Sequence, residues 1–358
     1  MIGFDTNKKY VLLKYRVGSS AFGTGEAIAI TFSDNKHELE RFCIGMGYPL
    51  ITSNNASMRF IIVETKDYLH DVNQYLNNQF VKKSIECIPN VSKNTSTDYI
   101  DITNLKAGDE IIVPHSVYGD IPFIVIGKDY DRQGTVTILS KEILELLPFD
   151  AMEPTNPNET RQKYGNNRYR YSNLLQWLNS DEGCRIWNIK QHEYDNGPYT
   201  EYVSYNPYVT HAGFLCGFSE EFKSQLVEVA KRTLIPSIDD DGCEYVKSKV
   251  FLLSRTEVGL GRETKMYQEE VIYEYFDDNN TDENRIAYPS EYCLNHAGGF
   301  DDNRFNVDNG WFYWLRTPIY LEDSQIAVVS PDGSLARNNL AYCGSVGIRP
   351  AMVLRNHK

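Results

Sequence analysis

Two stretches decide how this chain folds: Trp311-Phe312-Tyr313-Trp314-Leu315-Arg316-Thr317-Pro318 and Cys343-Gly344-Ser345-Val346-Gly347-Ile348-Arg349-Pro350-Ala351-Met352-Val353. Each sets an arginine and a proline in an otherwise apolar strand. A buried guanidinium must satisfy all its N–H donors, so such an arginine predicts a fixed hydrogen-bonding frame, not a solvated charge. Arg316 and Arg349, with Trp177 and Trp314, are therefore read as scaffold residues.

Working outward, Ser330-Pro331-Asp332-Gly333-Ser334 follows the apolar run Ile326-Ala327-Val328-Val329. Proline fixes one dihedral and glycine supplies a positive one, which predicts a hairpin. The two Arg-Pro strands would then share one sheet. Farther upstream, Glu110–Val113, Pro122–Lys128 and Thr135–Ser140 are short apolar runs separated by Gly119-Asp120 and Gln133-Gly134, the spacing of an antiparallel meander. Ser172 caps a helix whose stripe is Leu174, Leu175, Trp177 and Leu178. Ser219 opens a second, with Phe222, Leu226, Val229 and Ala230 at helical spacing. These read as two main helices on one antiparallel sheet, with long excursions at about 151–170, 188–212, 236–246 and 277–310.

A polar Ser/Thr/Asn-rich stretch divides the chain into residues 1–88, a linker at 89–103, and residues 104–358. In the first part Tyr10–Arg16, Ala27–Thr31 and Phe60–Val63 read as strands, and Asn35–Met46 and Lys66–Phe80 as helices. The fold class is thus α+β: a small N-terminal α/β module, expected to dock onto partners, followed by a mixed domain.

Composition narrows the function. At 41% hydrophobic and 24% charged residues the chain reads as an ordinary globular protein. No apolar run reaches membrane-spanning length, and the start lacks the basic-then-apolar build of a signal peptide. A net charge of −13 without a Lys/Arg block repels phosphate backbones, which excludes nucleic acid as an expected partner. The seven cysteines are odd in number and none forms a Cys-x-x-Cys pair, so reduced thiols are expected.

The segments Tyr171–Asn179, Gly213-Phe214-Leu215, Val250–Ser254, Trp-Leu-Arg-Thr-Pro and Gly-Ile-Arg-Pro-Ala occur in that order. So arranged, they resemble an uncharacterised domain family common in Gram-positive gut bacteria and their phages, over roughly residues 104–355. The closing strand also resembles those of C-type-lectin-like folds, which include formylglycine-generating enzymes and phage receptor-binding proteins. The resemblance implies a lectin-like second domain in a virion component made in the bacterial cytoplasm. It would be oligomeric in a tail, baseplate or head decoration.

Motifs for chemistry are sparse. Ser237-Ile238-Asp239-Asp240-Asp241-Gly242 starts a calcium-loop register that ends on Ser248, where a glutamate is required, and so reads as an acidic turn. Glu153-Pro154-Thr155-Asn156 carries one residue more than the lectin sugar-and-calcium motif. His192-Glu193 lacks a second histidine one turn on, so zinc is not expected, and no other cofactor is implied. Cys343 lies where the resemblance puts the reactive cysteines of formylglycine-generating enzymes, with His296 as a possible base. Those enzymes use a cysteine pair, and this chain offers one cysteine there. Tyrosine is the excess, 25 in all, and Tyr194, Tyr199, Tyr202, Tyr205 and Tyr208 are interleaved with Asn, Ser, Gly and Pro. Tyrosine gives rigid amphipathic contact area at low entropic cost. These residues are expected either to contact a surface glycan or protein, together with Arg337, Asn338 and Asn339 of a loop, or to anchor their own excursion. The reading is a non-enzymatic binding component of a particle. The alternatives are a formylglycine-type oxidoreductase using Cys343 and a bacterial cytosolic binding protein.

Overall fold

The structure is a computed structural model. It describes residues 9–16, 27–33 and 58–65, and from residue 99 onward all but 184–192, 195–207, 209–210, 278–280, 298–301 and 357–358. The chain divides into two compact units, Met1–Val91 and Ser92–Lys358. In the first, β1 (Lys9–Arg16) lies between β2 (Ala27–Ser33) and β3 (Met58–Thr65), antiparallel to both. The helices expected at 35–46 and 66–80 lie outside the described residues.

The second unit is built on a five-stranded sheet. The meander β4 (Glu110–His115), β5 (Gly119–Lys128) and β6 (Thr135–Ser140) forms as the turn residues require. Next to β6 lies β13 (Ala351–Arg355), and beyond it β9 (Val250–Phe251). The unit's two ends meet, because the Asn356 side chain accepts from Ile102 N at 3.0 Å and donates to Thr103 Oγ1 at 2.9 Å. A three-stranded sheet holds β10 (Tyr313–Pro318), β11 (Gln325–Val329) and β12 (Leu335–Leu340), and β7 (Val229–Leu234) pairs with β8 (Cys243–Ser248). The mixed helices and antiparallel sheets make the fold α+β. The expected β11–β12 hairpin is present, with Gly333 at φ 82° and Ser330 N bonded to Ser334 O at 2.8 Å.

Each central strand divides its side chains between two cores. Phe123, Val125, Val136, Ile138, Met352 and Leu354 point into one core; Ile124, Ile126, Leu139, Ala351 and Val353 point into the other. All of β6 is buried, so both faces of the sheet are covered. The first core takes α2 (Asn173–Leu178), capped by Ser172 as expected, and Phe222 of α3 (Glu220–Gln225). The second core takes Phe276 of α4 (Glu274–Asp277) and Cys293 of α5 (Glu291–His296). A short helix, α1 (Glu159–Tyr164), opens on an Asn158 cap.

Three expectations are corrected. The helix expected to run from Ser219 through Ala230 stops at Gln225, since Leu226 turns extended and Val229 and Ala230 pair with Ser248 and Lys247. Strand pairing overrides a periodicity that a β-branched Val229 supports only weakly. The segment 151–170 is no surface excursion: Glu153, Asn156, Arg161, Asn166 and Asn167 are buried, and Asp150 accepts from Asn166 N and Asn173 N. The two arginine strands do not share a sheet. Tyr313 and Gly347 instead make a parallel bridge between them, with Gly347 N donating to Phe312 O at 2.8 Å. A Cβ on Gly347 would stand 2.4 Å from Ile143 Cγ2 and 2.9 Å from Phe312 O, so this approach needs glycine.

Candidate functional site

Both arginines are buried where sheets meet. Arg349 donates from Nε to Ser140 O at the end of β6 (2.6 Å) and lies over the ring of Tyr313 in β10. Arg316, with 0% of its side chain exposed, donates to Leu252 O at 2.7 Å and pairs with Glu257. Trp314 donates its indole N–H to Leu147 O at 2.8 Å, and Trp177 does so to Ala212 O at 2.8 Å.

Arg316 belongs to a closed charge centre. Glu257 also pairs with Lys231 at 3.0 Å, and Lys231 pairs with Asp131 at 2.5 Å. The Tyr273 hydroxyl, 2.7 Å from Lys231 Nζ, donates to Asp131 Oδ2 at 2.9 Å. Burial pushes the Glu257 carboxyl up, but Arg316 and Lys231 outweigh it and bring it down to about 2. Two cations thus face two carboxylates. Glu269 completes the surroundings, accepting from the Thr317 hydroxyl and Leu234 N, and burial raises it above its ordinary value.

A second, more open centre stands at the foot of the tyrosine-rich excursion. The residues on either side of 184–210 are bonded to each other, since Gly213 N donates to Glu182 O (2.9 Å) and Leu215 N to Ser180 O (3.0 Å). Just before Gly213, His211 Nε2 lies 2.6 Å from Glu145 Oε1, and the Tyr118 hydroxyl donates to Glu145 Oε2 at 2.5 Å. Burial pushes the Glu145 carboxyl up, yet the charge and hydrogen bond of His211, with the Tyr118 hydroxyl, leave it below its ordinary value. His211 keeps 23% of its side chain exposed. Tyr292 meets Tyr118 edge-on at 4.6 Å and stacks on His296 at 3.9 Å. Beneath lies His115, whose Nδ1 accepts from Val117 N and Tyr118 N; its Nε2 therefore carries the hydrogen donated to Phe214 O. Burial brings His115 down to about 4.

The expected contact residues separate. Tyr208 is corrected to a core residue: it is fully buried beside Trp177, and its hydroxyl donates to Pro148 O at 2.5 Å. It anchors the excursion because a buried phenol hydroxyl needs a partner. Tyr194 is half-buried in a turn, while Tyr199, Tyr202 and Tyr205 lie outside the described residues. Arg337, Asn338 and Asn339 lie in β12, not in a loop, because Asn339 pairs with Ile326 of β11. The Cys343 thiol contacts the Ser345 hydroxyl at 3.2 Å, whereas His296 Nδ1 contacts Tyr292 O. The acidic turn is not simply solvated, since Asp239 pairs with Arg161 at 2.5 Å. Glu153 accepts from Asn156 Nδ2 within the Glu-Pro-Thr-Asn segment. Among the described residues no group of three or more His, Cys, Asp or Glu is placed to hold a metal ion, and no helix is long and apolar enough to cross a membrane.

Sequence reasoning missed Glu145, Tyr118 and His211. They stand far apart in the chain, and only the closing of the excursion brings His211 to Glu145. No curated protein and no solved structure matches the chain. The signature strands, the buried arginines, Glu257 and Glu145 fall within residues 133–356, which match a family model described as a domain of unknown function, DUF6273, and the chain belongs to that family.

Proposed function

We propose that this chain is a non-enzymatic structural and binding component of a phage or phage-derived particle, in a tail, baseplate or head decoration. Residues 1–88 dock onto other particle proteins, and the lectin-like second unit presents residues 183–212 to a glycan or protein on the host surface. The observation that carries the reading is the pinned foot. Both ends of the excursion are bonded to each other, and Tyr208, His211 and Ala212 are held by Pro148, Glu145 and Trp177. Holding the two ends of a segment on a core lowers the entropic cost of recognition by it. The tyrosines then supply contact area.

Electron microscopy of particles from the native source, with a label on this chain, tests the reading. Labelling at the tail, the baseplate or a capsid vertex is expected, and absence from every particle overturns it. The reading also requires that Cys343→Ser leave labelling unchanged; a peptide-oxidising activity lost in that variant would favour the enzyme instead.

A further inference from the structure

We propose that Lys231 and Asp131 condense into an intramolecular amide, with Glu257 carrying the proton and Tyr273 and Thr137 holding the carbonyl oxygen. The closed charge centre has the parts this reaction needs. Lys231 Nζ lies 2.5 Å from Asp131 Oδ1 and 3.0 Å from Glu257 Oε1. Side-chain exposures are 1% for Lys231, 6% for Asp131 and 0% for Glu257, so water is kept from the reacting atoms. The faces of Tyr130, Phe251 and Tyr273 enclose the ammonium at 5.2, 4.7 and 5.0 Å.

The two carboxylate oxygens of Asp131 are differentiated. Oδ2 accepts from the Tyr273 hydroxyl at 2.9 Å and from Thr137 Oγ1 at 2.7 Å. Those donors stand where negative charge develops when the carboxyl carbon becomes tetrahedral. Oδ1 faces the amine and is the leaving oxygen. Glu257 is differentiated too, since Arg316 and Ser254 N hold Oε2 and leave Oε1 towards Lys231.

The step balances without an external reagent. A proton passes from Nζ to Oδ1, giving an amine and a carboxylic acid. The Nζ lone pair attacks Cγ, forming the N–C bond and moving the carbonyl pair onto Oδ2. Glu257 takes a second proton from the positively charged nitrogen and delivers it to the Oδ1 hydroxyl. Oδ1 departs as water, the carbonyl re-forms on Oδ2, and Glu257 is again ionised. Fixed proximity makes the reaction effectively unimolecular, and a dry core removes the water that would reverse it. The bond would join the β5–β6 connection to β7 across 100 residues, closing a loop that contains α1, α2, α3 and the whole excursion.

Electrospray mass measurement of the full chain, purified folded and then denatured, tests this. The chain is expected to weigh one water less than its sequence, and digestion is expected to yield a branched peptide joining Lys231 to Asp131. The full sequence mass, or a water lost at any other residue, overturns the proposal. Lys231→Arg and Glu257→Gln are expected to keep their full mass, and water loss in either overturns the role given to that residue. Asp131→Asn is expected to expel ammonia instead, reaching the same final mass as the unaltered chain. If a variant fails to fold, the mass of the unaltered chain still decides.

Discussion

Glu257 and Glu145 are both buried carboxylates held below their ordinary range by cationic partners, yet they do different work. Glu257 is wrapped by Arg316 and Lys231 with 0% of its side chain exposed, and its neighbours belong to strands, strand ends and the segments beside them. Glu145 is held by Tyr118 and by His211, and His211 is still partly open to solvent at the foot of the excursion. A closed centre fixes architecture, because removing one member strands a charge in a dry core. An open centre is cheaper to perturb, and that is where the segment before His211 rejoins the core.

The largest expected effect lies at the closed centre. Arg316→Leu leaves Glu257 and Glu269 facing each other without their shared cation and should cost about 3–5 kcal/mol of unfolding free energy in denaturant titration. A loss below about 1 kcal/mol would erase the distinction between the two centres. Next comes His115, beneath the open centre. It titrates at about 4 when folded and at 6.5 ordinarily, so the unfolded chain binds the proton more readily. Its contribution is full above pH 6.5 and is lost as pH falls towards 4, by about 3 kcal/mol in all. His115→Asn should flatten that part of the stability profile, and an unchanged slope would show that the ring is not buried neutral.

His211→Ala should cost less, about 1–2 kcal/mol, because Tyr118 still serves Glu145 and solvent screens the partly exposed pair. The effect should shrink with added salt, whereas that of Arg316→Leu should not, and equal salt dependence would contradict the open and closed assignments. Ser172→Ala removes the cap of the helix behind Trp177 and should cost about 1 kcal/mol in thermal or chemical unfolding. If it instead matched Arg316→Leu, the helix, not the charge centre, would govern stability.

Much of the fold was legible because local rules and tertiary structure agree. The meander follows from glycine-marked turns between apolar runs, the hairpin at Pro331 to Gly333 from turn chemistry, and helix α2 from the Ser172 cap. Legibility failed where two local rules competed. Val229 and Ala230 fit a helical stripe and a strand equally well, and pairing with β8 decided. Tyr208 is interleaved with Asn, Ser, Gly and Pro like the tyrosines before it, but its hydroxyl found Pro148 O inside the core.

By itself the sequence determined the α+β class, the strands of the meander and the capped helix, which depend on residues within a few positions of one another. Only the tertiary structure decided that Arg316 and Arg349 bridge sheets and do not share one, that both faces of the sheet are covered, and that Lys231 meets Asp131 and His211 meets Glu145. Those pairings join residues far apart in the chain, and no local propensity encodes them. They arise when burial brings charges into a medium where each must find a partner.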